Sequence, residues 1–216
     1  MIKALIFDMD GLLLDSERIV QRSWNEAGAK LGIPHLGEHI RHTLGLNRKA
    51  RNEYFKHAFG TDFPLEEFNR MTSAIFFSIV ENTGIPLKPG AKELLEYAKE
   101  HGFKIAAATS SGREYAVKEL ADAGIWRYFD GGVFGDMIEN TKPDPEIYLK
   151  ACECVRSNPC ECLALEDSPA GIRSAYAAGL KVIAVPDLVQ PDDEVLALTY
   201  RKLDTLHEVI PLLKEE

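Results

Sequence analysis

Short apolar runs alternate along this chain with longer segments in which apolar residues recur every three to four positions. The run KALIFD at 3–8 is apolar at nearly every position, as expected of a strand covered on both faces. Strands of the same kind are predicted at 103–108 (FKIAAA), near 132–135 (GVFG), at 162–166 (CLALE) and at 181–185 (KVIAV). Helical periodicity occupies 91–101, closed by Gly102, and 113–123, stopped by Gly124. It returns after the Pro143-Asp144-Pro145 run, at 169–178, and from about 204 to 214. Strand and helix in regular alternation predict an α/β fold built on a doubly wound parallel sheet.

Residues 16–82 break that rhythm. They carry three helical patterns, at 17–32, 47–59 and 65–82, and no convincing strand. The segment Ile85-Pro86-Leu87-Lys88-Pro89-Gly90 suits a stiff connector better than an element, because proline fixes φ and glycine frees it. The predicted organisation is a core of residues 1–15 and 86–216 and an inserted all-α cap domain of residues 16–85 joined by two crossings. Trp24, Phe55, Phe59, Phe76 and Phe77 stand at helical spacing and are expected to pack inside the insertion. The six histidines have no ligand-like partner in sequence and are taken as surface or packing residues. There is no internal repeat and no low-complexity tract.

With 216 residues, 45% hydrophobic and 27% charged, the chain can bury one good core and a smaller satellite. Its net charge of -9 argues against a general nucleic-acid binder, which needs a basic face to displace counterions. An aspartate already at position 8 leaves the first apolar run too short for a secretory signal or a membrane span, so a cytoplasmic, monomeric protein without a membrane partner is expected. Four cysteines crowd into CECVRSNPCEC at 152–162. Cys152 and Cys154 are two apart at the end of a helical pattern, where such side chains diverge, so reduced thiols are preferred to a zinc site.

In a doubly wound sheet, ligands bind beyond the carboxyl ends of the strands. Those ends carry a pattern here: Asp8 and Asp10 after the first strand, Thr109-Ser110-Ser111 after the second, Lys142 in the loop after the third, Glu166-Asp167-Ser168 after the fourth. Four carboxylates in one crevice repel unless a cation sits among them. Oxygen-only ligands suit Mg2+, which commonly meets phosphate oxygens. Thr109 and Ser110 add hydroxyl and backbone donors and Lys142 a point charge, completing the parts of a phosphate clamp. Gly11 would let the chain turn sharply, Asp15-Ser16 would cap the first helix of the insertion, Ser168 the helix beginning at Pro169, and Asp144 would serve the turn between two prolines.

The runs DMDGLLLDS, TSS, KPDPEIY and LEDSPAGIRSA resemble the four motifs of the haloacid dehalogenase superfamily. The closest likeness is to the subgroup with a helical cap that includes β-phosphoglucomutase and small sugar-phosphate phosphatases, and it spans nearly the whole chain in order. The resemblance implies a Rossmann-like core and Mg2+-dependent phosphoryl transfer on a small phosphorylated metabolite. It makes Asp8 the nucleophile that becomes an aspartyl phosphate and Asp10 the general acid and base. Mg2+ would be held by Asp8, the backbone carbonyl of Asp10 and Asp167, with Glu166 close or ligating, while Thr109 and Lys142 hold the transferring phosphoryl oxygens. A raised pKa for Asp10 would suit its task.

The stretch TLGLNRKAR resembles the cap segment of β-phosphoglucomutase that reaches the sugar or distal phosphate, which places Gly45, Asn47 and Arg48 there, beside Ser110 on the core side, as substrate contacts. Arg48 would pair with a second phosphate. Two departures count against a mutase: Val20 stands where β-phosphoglucomutase has a histidine, and 70–78 (RMTSAIFFS) lacks the cap lysine. A phosphatase is the expected activity, a phosphosugar mutase the alternative. A third class, a signalling receiver that accepts phosphate without turnover, shares the strand-end aspartate and distal lysine but has no use for the insertion or for Asp10.

Overall fold

The computed structural model describes residues 1–215. Six strands form one sheet: β1 (Ala4–Phe7), β2 (Lys104–Thr109), β3 (Gly131–Phe134), β4 (Cys162–Glu166), β5 (Lys181–Ala184) and β6 (Arg201–Lys202). Their spatial order is β3-β2-β1-β4-β5-β6 and every pair is parallel. The chain winds outward from β1 in both directions, so the crevice at the topological switch point opens beyond the carboxyl end of β1, between β2 and β4. Phe7 pairs with Ala107 on one side and Leu165 on the other, which places Asp8, Thr109 and Glu166 on one rim.

Both faces are covered, which is why β1 is buried at every position and its sequence is a run rather than an alternation. Leu5, Phe7, Leu163 and Leu165 pack under α4 (Ala91–Glu100), α5 (Arg113–Asp122) and α9 (Val209–Glu215). Ala4, Ile6, Ala106, Ala108 and Ala164 pack under α6 (Glu146–Cys154), α7 (Pro169–Ala177) and the short α8 (Asp193–Leu196). The small residues on the second face let α6 approach closely, and this brings Tyr148 beneath the strand ends. Cys152 and Cys162 are buried in this layer, while Cys154 and Cys160 are exposed.

Between β1 and β2 the chain forms α1 (Ser16–Lys30), a 3₁₀ helix at Leu36–His42, α2 (Arg48–Phe59) and α3 (Leu65–Thr83). They enclose their own cluster of Trp24, Ala27, Leu36, Ile40, Leu44, Phe55, Phe63 and Phe68. Phe55 is its hub, with ring centroids 5.0 Å from Trp24, 5.0 Å from Phe68 and 5.3 Å from Phe63. The two crossings are hydrogen-bonded to each other: Asp15 N–H to the Pro86 carbonyl at 2.8 Å and Lys88 N–H to the Leu13 carbonyl at 2.9 Å. Asp187, after β5, accepts from Arg18 of α1 and pairs with Lys88 at 2.7 Å.

Three local expectations change. Asp15 occupies the N-cap of α1 but accepts no backbone hydrogen bond; its carboxylate is taken by Arg18 at 2.5 Å, and Ser16 turns its hydroxyl to Asp10. The final helix starts later, after a 3₁₀ turn at Leu206–Glu208. β6 and α8 carried no sequence signal, since a two-residue edge strand of exposed Arg201 and Lys202 has no apolar run to display. Ser168 caps α7 by accepting from Gly171 N–H at 3.1 Å. No helix of the described residues is long and apolar enough to cross a membrane.

Phe55→Ala, which empties the hub of the helical cluster, is expected to lower unfolding free energy by about 3–5 kcal/mol, read from the urea midpoint at unchanged slope.

Candidate active site

Asp8 follows β1 and is buried, its backbone N–H donating to Leu165 at 3.1 Å. The fully buried Lys142 donates to Asp8 Oδ1 at 2.5 Å, to Glu166 Oε1 at 2.5 Å and to the Ala108 carbonyl at 3.0 Å. Burial works against the ammonium, but Asp8 and Glu166 outweigh it and raise its pKa. Glu166 is saturated: Oε1 also accepts from Tyr148 OH at 2.6 Å, and Oε2 from Ser168 N–H at 3.3 Å and Oγ at 3.1 Å. A side chain at Gly171 would bring Cβ to 1.8 Å from Glu166 Oε1, so the glycine of LEDSPAG exists to admit this carboxylate.

Asp167 is its opposite. It is 1% exposed, and neither carboxylate oxygen has a hydrogen-bond partner among the described residues. One oxygen from each of Asp8, Glu166 and Asp167 lies within 4.8 Å of the others. Burial, then the neighbouring carboxylates, push the Asp167 pKa well up; burial likewise raises Asp8 against the pull of Lys142. A buried carboxylate with two free oxygens beside two more carboxylates is an oxygen-only donor set that fits a hard divalent cation. Gly11, at φ 87°, turns the chain over this cluster, and a Cβ there would meet Asp167 Oδ2 at 2.3 Å.

Asp10 stands apart from that cluster. Ser16 Oγ donates to its Oδ1 and Ser111 Oγ to its Oδ2, each at 2.7 Å. Burial raises its pKa, and the two hydroxyls oppose this without cancelling it. Thr109 is buried, with its hydroxyl oxygen accepting from Ser111 N–H at 3.1 Å. Ser110 donates to the carbonyl of Gly45 at 3.0 Å, joining the sheet end to the helical insertion.

The insertion roofs a cavity of about 440 Å³ lined by Asp8, Asp10, Thr109, Ser110 and Asp167 below and by Gly45, Asn47 and Arg48 above; Lys142 and Glu166 lie just beneath the floor. Asn47 spends its side-chain carbonyl on the N-cap of α2, accepting from Ala50 N–H at 2.9 Å, and Arg48 is exposed. Phe76 and Phe77 do not pack inside the insertion as expected. They turn to the cavity and face Tyr115 of α5, at 6.2 and 6.5 Å between centroids.

Glu17, Arg51 and Tyr115 are among the polar lining residues that escaped the sequence analysis. Burial, with Asp10 and Asp8 adding to it, pushes Glu17 up to about 8. A signal was available: Glu17, Val20, Trp24 and Ala27 share one helical stripe, and Arg51 shares one with Phe55 and Phe59. A charge on an apolar stripe is either buried or aimed into a cavity.

The family model for haloacid dehalogenase-like hydrolases matches residues 2–179. Over 99% of each chain, a phosphorylated carbohydrates phosphatase of Thermotoga maritima is 29% identical. Hexitol phosphatase B of Escherichia coli strain K12 is 31% identical, covering 96% of this chain and 94% of that protein. The crystal structure of CbbY from Rhodobacter sphaeroides in complex with phosphate superposes with a TM-score of 0.80 at 32% identity, over 97% and 96% of the two chains. The chain belongs to the haloacid dehalogenase-like hydrolases, and the resemblance drawn from its four motifs holds.

Two outcomes follow from the buried carboxylates. Raised folded-state pKa values mean that the folded protein binds more protons than the unfolded chain, so stability is present below the ordinary carboxylate range and lost as pH rises to about 8. In chelator the melting temperature is expected to fall between about pH 5 and 8, less so in Asp167→Asn, with added Mg2+ raising it most at the upper end. Gly171→Ala, by evicting Glu166 from Lys142, is expected to cost about 3 kcal/mol in a denaturant titration.

Proposed function

We propose that the protein is a phosphatase that hydrolyses monophosphate esters of small carbohydrates through an aspartyl phosphate on Asp8. The observation that carries this reading is the division of labour among the carboxylates. Asp8 is pinned by Lys142 beside the unsatisfied carboxylate of Asp167, while Asp10 is held separately by two hydroxyls with its pKa raised. One group is placed to attack and the other to carry a proton. The names of the relatives, a phosphorylated carbohydrates phosphatase and a hexitol phosphatase, favour the same substrate class.

In the first step an Asp8 carboxylate oxygen bonds to phosphorus, the ester P–O bond breaks, and the leaving oxygen takes the proton from Asp10. In the second, Asp10 takes a proton from water as the water oxygen attacks the phosphoryl group, releasing phosphate and restoring Asp8. Lys142 and the Thr109 hydroxyl hold the transferring oxygens, and Glu166, through Tyr148 and Ser168, fixes Lys142. Asp8 and Asp167, with the Asp10 carbonyl, would hold Mg2+; when bound it supplies charge neutralisation, without which a carboxylate cannot approach a phosphate dianion. The structure gives Glu166 no free oxygen for that role, and we assign it to orienting Lys142 instead.

Residues 1–15 and 86–216 are the catalytic core in this reading, and residues 16–85 the cap that excludes water during transfer. A mutase is the weaker reading. Among the described residues lining the cavity there is no histidine and no lysine, and Val20, Phe76 and Phe77 take wall positions. A receiver has no need of a roofed cavity of this volume.

Asp8→Asn is expected to abolish release of p-nitrophenol from p-nitrophenyl phosphate while leaving the melting temperature within a few degrees, and near-normal turnover would remove Asp8 as nucleophile. Asp10→Asn is expected to slow turnover by at least roughly 100-fold. In the wild type an acid quench during turnover is expected to recover label on Asp8, and excess chelator to stop the reaction until Mg2+ is restored.

A further inference from the structure

Arg51 lies one turn before Phe55 on α2, on the stripe that faces the aromatic cluster. It is half-buried, and its guanidinium carbon sits 5.7 Å above the ring of Trp24. Among the described residues nothing accepts a hydrogen bond from its guanidinium, which interacts with the protein through that ring and through the charges of Arg48 and Glu17. Its guanidinium donors, shared with no protein acceptor among the described residues, face the cavity and are available to oxygen atoms of a ligand there.

Glu17 lines the same cavity from α1 and forms no hydrogen bond or ion pair with Arg51 among the described residues. The two groups therefore feel each other's charge while leaving both hydrogen-bonding edges available. A hydroxyl satisfies this arrangement in a way that no simple ion does, since it accepts from the guanidinium and donates to the carboxyl. A second phosphate, a dianion, would meet the acidic group of Glu17 beside Arg51, while Arg48, which lines the same cavity from the start of α2, is exposed to water there. Phe76, on the wall of the same cavity, offers flat apolar surface for the C–H face of a sugar or polyol.

We infer that Arg51, seated on Trp24 and opposed by Glu17, selects the non-reacting end of the substrate. A neutral polyhydroxylated skeleton carrying one phosphate is accepted, and one carrying a second phosphate at its far end is discriminated against. This rests on the phosphatase reading, which it sharpens to a substrate class.

The test measures kcat and KM of the full-length enzyme with Mg2+ on sorbitol 6-phosphate, glucose 6-phosphate, fructose 1,6-bisphosphate and p-nitrophenyl phosphate. The wild type is expected to prefer the better of the two monophosphates over the bisphosphate by roughly 10-fold or more in kcat/KM. Arg51→Met is expected to lower the ratio of kcat/KM for that monophosphate to kcat/KM for the aryl ester by about 30-fold, chiefly through KM. Arg51→Lys should recover part of this, and Glu17→Gln should move the bisphosphate ratio upward by roughly 5-fold. The two conservative variants carry the test if Arg51→Met does not fold. A wild type that prefers the bisphosphate, or ratios unmoved in the Arg51 and Glu17 variants, overturns the assignment while p-nitrophenol release leaves the phosphatase reading standing. Release of phosphate from no ester at all overturns both.

Discussion

Everything at the carboxyl edge of the sheet depends on one buried ammonium. Lys142 joins Asp8 and Glu166 at 2.5 Å each and closes on the Ala108 carbonyl. Removing three such charges from water is expensive, and the arrangement survives because the three donors of Lys142 and both oxygens of Glu166 are engaged. Tyr148 and Ser168 complete Glu166, and Gly171 leaves the room. Asp8 is thereby fixed in position directly after a buried strand, a rigid mount. Asp167, buried and without a hydrogen-bond partner among the described residues, is a carboxylate on which a cation can act without dismantling the rest.

Charge is sorted by depth. At the floor the acidic groups and Lys142 are sealed from solvent; midway, Asp10 rests between two serine hydroxyls from different elements; under the roof, Glu17, Arg51 and Tyr115 surround the space left for the rest of a ligand. The helical insertion forms this roof with its own aromatic core, so its inner wall can vary without disturbing the sheet. Separating reaction floor from recognition roof is how related chains with one chemistry come to accept different leaving groups.

The parallel sheet, its strand ends and the helical segments were legible because their physical causes are local. A strand covered on both faces must be apolar throughout, and an amphipathic helix must repeat every three to four residues. Asp8, Asp10 and Asp167 stood out as charges at the ends of apolar runs, and Lys142 stood out in the loop after the third strand and in the KPDPEIY motif. What stayed hidden was set by tertiary partners. Ser16 looked like a cap and became a hydrogen-bond donor to Asp10; Phe76 and Phe77 looked like core and became cavity wall. β6 exists only because Ala184 and its neighbour offer an open ladder. Glu17 and Arg51 showed their stripe but not which side of it was hollow.

The two crossings between core and insertion are not independent threads. Residues 13–15 and 86–88 are laced together by backbone hydrogen bonds, and Asp187 ties both to the end of β5 through Arg18 and Lys88. A pair of cords knotted side by side resists twist and sideways sway far better than either cord alone. The paired attachment therefore restrains the roof relative to the sheet, and the hydrogen bond from the Ser110 hydroxyl to the Gly45 carbonyl is a third point at which the two are fastened.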